Sequence, residues 1–348
     1  MASPVNNSEW LAWVASLMGG VSRHTCASTY PSDRFYCLLD ELPLHLIPRQ
    51  MLSSVYSPGE HKEELRLNPL CQFLRDGEVP SDLGACRDFL DGFALQGTVA
   101  WVRQPETDVL SPFWVGPKLE SVLANYNSGQ FEPGCLSESD AQLLSSAGIL
   151  SSAGSSVQAG QLWRAQIARS AQMFEQRSYA PTRNLIHPFH VAALRRYYRN
   201  MIRAGNILLG DVQSSRRYVA HNESVARFFH HQIAPAVSAV VGEPVKPSYV
   251  YLASYMSGAE LKKHTDREQC EFSITLCLDF SPEPRHETPW PIRLEPSGGE
   301  VIVYQGLGDG LVYRGTRVPH YRSPLPEGQT STSMFFHYVP QDFAGSLN

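Results

Sequence analysis

Several features that mark common protein classes are absent from this sequence of 348 residues, or only weakly present. Its seven cysteines include no CxxC pair, so they offer neither a zinc ribbon nor a redox motif, and we expect reduced thiols. No apolar run approaches the roughly 18 residues of a membrane span. Acidic residues (34) outnumber basic residues (29), so the net charge of −5 makes a nucleic-acid partner unlikely.

The amino terminus also lacks the pattern of a secretory signal. No basic residue precedes its apolar stretch, and the first charged residue is Glu9. We therefore expect a cytoplasmic protein without membrane association. Only 18% of the residues are charged and 43% are hydrophobic, which predicts a folded chain with a sizeable core.

The first 160 residues match no motif, and we predict that 1–160 form a separate N-terminal accessory region. A segment rich in Ser, Gly and Ala at 150–161 is the best linker candidate, so the second domain should span 161–348. Within the accessory region, the pattern predicts a short helix at 120–126. Ser137, followed by Asp140, predicts the start of another.

The periodicity after this boundary predicts three helices. One should span 162–177, one should begin near Pro188, and Asn222 should cap the third. Pro235 should kink or split that third helix. Four arginines of the second helix are expected to form a solvated face rather than a binding patch: Arg195, Arg196, Arg199 and Arg203.

From residue 248 the pattern changes to short segments that are rich in β-branched and aromatic residues and separated by turns. We predict strands at 248–256, 270–280, 291–295, 300–305, 309–315 and 331–339. Short strands at this spacing favour a sandwich or a jelly roll. Helices followed by strands make the fold class α+β, with a β core at 248–340.

Three residues of this β region form a candidate metal site. His264 and Asp266 are separated by one residue, so they point to the same side of an extended segment. His320 follows at the end of a later predicted strand. Two imidazoles and one carboxylate are the ligands of a non-haem iron(II) site, which keeps its other positions open. His337, in the last strand, is expected to be a core histidine.

The region from Tyr249 to Val339 resembles the double-stranded β-helix core, a jelly roll, of the 2-oxoglutarate and iron(II)-dependent oxygenases, and is closest to the prolyl-hydroxylase-like branch. The matching segments are YMSGAELKKHTD (255–266), FSITLCLD (272–279), GDGLVYRG (308–315) and PHYRSPLPEGQTSTSMFFHYV (319–339).

This resemblance implies that His264, Asp266 and His320 bind Fe(II). It implies a dioxygenase that uses 2-oxoglutarate and dioxygen to hydroxylate an unactivated C–H bond of an organic or peptidyl substrate. It also implies that Tyr255 can hydrogen-bond the metal-proximal end of 2-oxoglutarate.

The sequence departs from this family at one position. Members place an Arg or Lys shortly after the distal histidine, where it pairs with the far carboxylate of 2-oxoglutarate. Here the corresponding stretch, Gly328 to Ser331, holds no cation. Arg322 is the leading candidate for this role, because it lies two residues after His320 and would face the same side of a continuing strand. The alternatives are Arg293, Arg314 and Arg317, with Thr330 and Ser331 as neutral donors.

Two other interpretations stay open. A cupin-like metal enzyme would use the same fold without 2-oxoglutarate, and the missing cation favours it. A non-catalytic jelly-roll binding module would carry the three residues by coincidence, and it would bind no iron. The fold and the ligand set are compatible with many substrates and identify neither the substrate nor the oligomeric state.

Overall fold

A computed structural model gives the fold of the protein and describes residues 30–51, 65–104, 109–127 and 136–348. The α-helices of these residues are α1 (Pro117–Asn127), α2 (Glu138–Ser146), α3 (Ala153–Arg177), α4 (Pro188–Arg203) and α5 (Ser224–Val241). The strands are β1 (Arg66–Leu67), β2 (Cys71–Arg75), β3 (Thr98–Arg103), β4 (Leu110–Val115), β5 (Leu150–Ser151), β6 (Tyr179–Thr182), β7 (Leu208–Leu209), β8 (Arg217–His221), β9 (Val245–Tyr255), β10 (Leu261–His264), β11 (Phe272–Ser281), β12 (Ile292–Leu294), β13 (Val301–Val303), β14 (Gly310–Arg314), β15 (His320–Arg322) and β16 (Thr330–Pro340). No helix in these ranges is long and apolar enough to cross a membrane.

Antiparallel pairing collects most of the strands into two sheets. A seven-stranded sheet has the order β6-β14-β11-β16-β9-β8-β7, and a four-stranded sheet has the order β10-β15-β12-β13. Strands β2, β3 and β4 form a smaller sheet near the amino terminus, and β1 pairs with β5. The predicted combination of helices and antiparallel strands is therefore confirmed.

The two faces of the seven-stranded sheet bury different partners, because alternate residues of a strand point to opposite sides. Ile274 and Phe336 belong to the large hydrophobic cluster that also contains residues of the helices and of the N-terminal region. Cys277 and Phe335 point to the other side and pack in a separate inner cluster with Trp290. The polar residues of the candidate site lie on this inner side, between the two large sheets.

The segment predicted as a linker is instead regular structure. Residues 150–161 form β5 and the first turns of α3. Phe174, further along α3, is buried in the large cluster. Once a helix is nucleated, each added residue gains a hydrogen bond, so a packed helix extends through an alanine-containing segment that could not form a helix alone.

The hydrophobic core continues across the predicted domain boundary at residue 160. Phe35 and Phe93, from the N-terminal region, lie in the same cluster as Phe228 and Phe229 of α5. The ring centroids of Phe93 and Phe228 are 4.8 Å apart. The accessory role of residues 1–160 stays a prediction, but the parts of this region that the structure describes share the core of the rest of the chain.

The predicted helices are present, with two local corrections. Pro188 begins α4 and Ser137 caps α2 as expected. Glu223, not Asn222, caps α5, because Asn222 adopts a positive φ of 52° and its side chain accepts a hydrogen bond from the Val250 backbone. Pro235 does not split α5, because the parts of the helix before and after this proline both pack in the large hydrophobic cluster.

The arginines of α4 were predicted to form a solvated face, and this is wrong for Arg195. Its side chain is fully buried and donates to Asp279 of β11 at 2.9 Å and to Glu283 at 2.9 Å. Its third contact is the backbone carbonyl of Leu46. Arg196 donates to the carbonyl of Tyr36 and lies over the Tyr36 ring. Both arginines therefore attach residues 36–46 to the rest of the molecule.

Replacing Arg195 by Met should lower the free energy of unfolding by about 1–3 kcal/mol, because the buried carbonyl of Leu46 loses its donor and Asp279 keeps only Arg199 as a charged partner. Urea unfolding followed by circular dichroism measures this difference. Arg203→Met, at the exposed end of α4, is the matched control and should leave the midpoint nearly unchanged. Equal midpoints for the two variants would contradict the role of Arg195.

Candidate metal centre

The structure brings together the three residues that the sequence predicts as metal ligands. His264 ends β10, Asp266 lies two residues later, and His320 begins β15. Strands β10 and β15 pair antiparallel with His264 opposite His320, so the two rings lie side by side with centroids 4.4 Å apart. One potential ligand atom from each of the three residues lies within 4.8 Å of the others.

Backbone carbonyls orient both imidazoles. Nδ1 of His264 lies 2.7 Å from the carbonyl of Lys262, and Nδ1 of His320 lies 3.0 Å from that of Val318. A carbonyl can only accept, so each Nδ1 carries the hydrogen and each Nε2 keeps its lone pair. Both Nε2 atoms lie 3.5 Å from Oδ1 of Asp266. This arrangement of the second ring nitrogen is common among histidines that bind metals.

Asp266 is held from two directions. Its backbone N–H donates to the carbonyl of Gly315 at 2.8 Å, and its Oδ2 lies 2.7 Å from the hydroxyl of Ser273 on β11. A Cβ atom on residue 315 would lie 2.6 Å from the Ser273 hydroxyl and would collide with the carboxylate. The glycine that ends the motif GDGLVYRG is therefore required by close packing behind the carboxylate.

Ser273 also connects Asp266 with His337 of β16. The hydroxyl lies 2.9 Å from Nδ1 of His337. Because a carboxylate only accepts, the hydroxyl donates to Asp266 and takes its other hydrogen bond from the imidazole. Burial lowers the pKa of His337 to about 4, against the opposing effect of Asp266, so this histidine is neutral near pH 7. It is a core histidine, as predicted, and it supports the carboxylate.

The electrostatics of the site favour an ionised carboxylate. Burial alone would raise the pKa of Asp266, but His264 and His320, whose Nε2 atoms can donate to the carboxylate when the rings are protonated, outweigh it and hold that pKa well below its ordinary value. The hydrogen bond to Asp266 raises the pKa of His264, and burial opposes this effect. The carboxylate thus supplies negative charge next to the Nε2 atoms of both histidines.

A second group of potential ligands shares Asp266 and adds Cys270 and His337. It is less suited to a metal ion, because a thiol must lose its proton to bind one. Burial raises the pKa of Cys270 to about 12, and its sulfur lies 3.0 Å from the hydroxyl of Tyr249. His264, Asp266 and His320 are therefore the better candidates.

Arg322 is the second polar feature between the sheets. It belongs to β15, two residues after His320, and is 3% exposed. Its Nη1 donates to the carbonyl of Trp290 at 2.8 Å, and its Nη2 donates to the side chain of Gln305 at 3.0 Å. In the part of the chain that the structure describes, its Nε has no hydrogen-bond partner and no carboxylate pairs with the guanidinium.

Two hydroxyl groups on the inner face are also without partners among the described residues. They belong to Thr275 of β11 and Ser333 of β16, which are both at most 1% exposed. Ser333 pairs with Cys277, and the charge of Arg322 opposes the burial that raises the pKa of Cys277 to about 12. Thr275 lies between Cys277 and Ser273. Unpartnered polar groups therefore extend from the candidate ligands to Arg322.

The other candidate arginines are paired with carboxylates. Arg293 pairs with Glu300, and both Arg314 and Arg317 pair with Glu271. Thr330 is exposed, whereas Ser331 is buried opposite Tyr255.

Tyr255 is fully buried, but it lies at the opposite end of the inner face from Ser273. Its hydroxyl accepts from Arg217 at 3.2 Å, and its ring packs on Trp290. In the register of β16, Tyr255 is opposite Ser331 and Ser273 is opposite His337. These levels are about 20 Å apart along the strand. The position favours contact with the Arg322 end of the interior rather than the metal-proximal end expected for Tyr255.

Several polar residues of this interior were missed by the sequence analysis, although a signal was present. In the segment FSITLCLD the small polar residues Ser273 and Thr275 alternate with large apolar residues. Alternation within a buried strand indicates one polar and one apolar face. Gln305 and Trp290 lie in loops and gave no comparable signal.

Comparison with known proteins finds similarity in solved structures only. No family model matches the sequence, and no curated protein matches it. The epimerase SnoN, solved with Fe3+, alpha ketoglutarate and nogalamycin RO, has a TM-score of 0.43 and 13% identity over 51% of this chain and 84% of its own. A prolyl-4-hydroxylase from Pseudomonas putida has a TM-score of 0.39 and 18% identity, over 49% of this chain and 98% of its own.

An oxidoreductase of the 2OG-Fe(II) oxygenase family from Burkholderia pseudomallei has a TM-score of 0.40 and 11% identity, over 50% of this chain and 89% of its own. Because the TM-scores lie below 0.5, the assignment of a function to this chain depends on the geometry of its own site.

Metal affinity should rise with pH through the pKa of His264. That pKa is raised above the ordinary value of about 6.5, so the ring keeps its proton at a higher pH than a free histidine, and a metal ion must displace it. Titration of the apo protein with Mn(II) between about pH 5 and 8 measures the effect. A variant without the exposed His286 should give the same profile, whereas an affinity that is independent of pH would contradict this assignment.

Proposed function

We propose that the protein is an iron(II) and 2-oxoglutarate-dependent dioxygenase that hydroxylates a C–H bond of an organic or peptidyl substrate. The observation that carries this proposal is the convergence of His264 Nε2, His320 Nε2 and the Asp266 carboxylate on one point. Two neutral imidazoles and one carboxylate on one side leave open positions on the other, which is the donor set of non-haem iron(II) oxygenases.

The fold agrees with this proposal. We interpret the seven-stranded and four-stranded sheets as the two faces of a double-stranded β-helix, a jelly roll, with helices on the outer side. His264 and His320 come from the smaller sheet, while Ser273 and His337 support the carboxylate from the larger one. Iron bound here would supply the activation of dioxygen. The residues around it orient the ligands and exclude water.

Arg322 is the proposed partner of the far carboxylate of 2-oxoglutarate. A buried guanidinium without an acidic partner is costly, and an anionic ligand would remove that cost. Nε of Arg322 and the hydroxyls of Thr275 and Ser333 can each donate to a carboxylate. His320 and Arg322 are two residues apart on β15, about 7 Å, which suits a short diacid with one end at the metal.

The buried charge of Arg322 also discriminates between the alternatives. A cupin-like enzyme without 2-oxoglutarate would have no use for an unpaired cation beside its metal. A non-catalytic module would need neither the cation nor imidazoles held in the tautomer that binds metals. Both alternatives therefore leave observed features of the interior without a role.

The first experiment measures iron binding and the formation of succinate from 2-oxoglutarate, which proceeds slowly in such enzymes even without substrate. The unmutated protein should bind one Fe(II) and form succinate. His320→Ala should lose both, because two ligands remain, while its circular dichroism stays unchanged. His286→Ala removes an exposed histidine as the control. Stoichiometric iron and full turnover in His320→Ala would overturn the proposal.

The second experiment concerns the cosubstrate. Arg322→Ala should weaken 2-oxoglutarate binding by about 2–5 kcal/mol, because a charged pair in a buried site is lost. Calorimetric titration without oxygen measures the affinity. Arg293→Ala removes an arginine that already pairs with Glu300 and should have little effect. If only Arg293→Ala binds 2-oxoglutarate more weakly, Arg322 is not the partner of the far carboxylate.

A further inference from the structure

The loop between β13 and β14 holds Arg322 in one orientation. Oε1 of Gln305 accepts from Nη2 of Arg322 at 3.0 Å. The Nε2 of the same side chain donates to the backbone carbonyls of Thr275, at 2.9 Å, and of Asp309, at 3.1 Å. Gln305 is 3% exposed, and these three contacts fix its amide in the direction that presents an acceptor to the guanidinium.

The rest of this loop, residues 305–309, closes one side of the sheet interior. Leu307 is buried in the inner cluster with Cys277 and Trp290. The N–H of Gly308 donates to the carbonyl of Cys277 at 2.7 Å, and the N–H of Cys277 donates to the carbonyl of Asp309 at 3.0 Å. The loop is therefore part of the wall next to Arg322.

Residues of the N-terminal region contact this loop on the side that faces away from the sheet interior. A 3-10 helix at Arg49–Met51 brings the side-chain amide of Gln50 to the carbonyl of Leu307, to which it donates. The Met51 thioether packs on Gly308, where a Cβ atom would have no room, and Gln50 does the same at Gly306. The two glycines that flank Leu307 thus leave room for side chains of the N-terminal region to pack on the loop.

The same N-terminal segment is anchored a second time, four residues earlier. The carbonyl of Leu46 accepts from Arg195, whose other contacts are Asp279 of β11 and Glu283. Residues 46–50 are therefore attached at one end to α4 and β11 and at the other end to the loop that carries Gln305.

We propose that Gln50 and Gln305 are positioning residues for Arg322, so that the N-terminal region is a structural part of the 2-oxoglutarate site. This inference rests on the proposed function. Gln305 accepts from one terminal nitrogen of the guanidinium and the Trp290 carbonyl accepts from the other. Nε has no partner among the described residues and is the nitrogen that would donate to the ligand. Gln50 acts through the loop, by holding the Leu307 carbonyl.

The experiment compares two ligands of equal chain length. 2-Oxoglutarate has the far carboxylate, and 2-oxopentanoate lacks it. Each is titrated by calorimetry into the full-length protein loaded with Mn(II), without oxygen. The variants are Gln305→Leu, which cannot accept from Arg322, and Gln50→Ala, which removes the half-buried amide that donates to the Leu307 carbonyl and so tests the same connection from outside the sheet interior. Arg49→Ala, in the same 3-10 helix and exposed, is the matched control.

Gln305→Leu should weaken 2-oxoglutarate binding roughly tenfold and Gln50→Ala roughly threefold to fivefold, since the guanidinium of Arg322 loses one hydrogen bond of ordinary strength in the first variant and only the support of that bond in the second. The affinity for 2-oxopentanoate and for Mn(II) should stay unchanged in both variants. In the background of Arg322→Ala, neither substitution should weaken 2-oxoglutarate binding further, because the residue that they position is gone.

The outcomes separate this inference from the proposed function. If Arg322→Ala weakens 2-oxoglutarate binding but neither glutamine variant does, the positioning role is wrong and the proposed function stands. If the glutamine variants weaken both ligands equally, their effect is a general structural one and the inference is also wrong. If Arg322→Ala has no effect, the cosubstrate assignment itself has failed.

Discussion

A buried positive charge without an acidic partner is the constraint on which the interior of this protein depends. Transfer of a guanidinium from water to a buried site costs free energy unless its hydrogen bonds and its charge are matched. Among the described residues, Arg322 contacts a carbonyl, an amide and the ring face of Trp290, all of them neutral. The hydroxyls around it are unpartnered as well. The anionic ligand proposed above would provide partners for these groups.

The candidate metal ligands include a negative charge that must also be stabilised away from water. Asp266 brings one negative charge into a partly buried position, and it is stabilised by Ser273 and by the two imidazoles rather than by an arginine or lysine. The backbone carbonyls that hold His264 and His320 come from residues two positions before each ring. The backbone just before each histidine therefore orients its ring, and the hydroxyl of Tyr313 lies 3.4 Å from Nε2 of His320.

The N-terminal region is attached to this interior by buried polar contacts and by a shared core. Arg195 is wholly buried between Leu46 and Asp279, so it links the outer face of the seven-stranded sheet with a segment that is distant in sequence. The aromatic residues Phe35 and Phe93 pack with Phe228 of α5. A region that matches no motif can therefore contribute to the site by packing, without supplying a ligand of its own.

The sequence by itself was sufficient for the α+β class and for most strands of the β core at 248–340, because strand alternation is a local property. It also named His264, Asp266 and His320 as candidate ligands, from a local spacing and a family resemblance. It could not show that residues 150–161 extend a helix, that Arg195 is buried, or that Gln305 and Gln50 converge on Arg322. Those facts depend on contacts between residues far apart in the chain. The tertiary structure brings such groups together and removes them from water, and only it decides which polar side chains are paired and which remain available to a ligand.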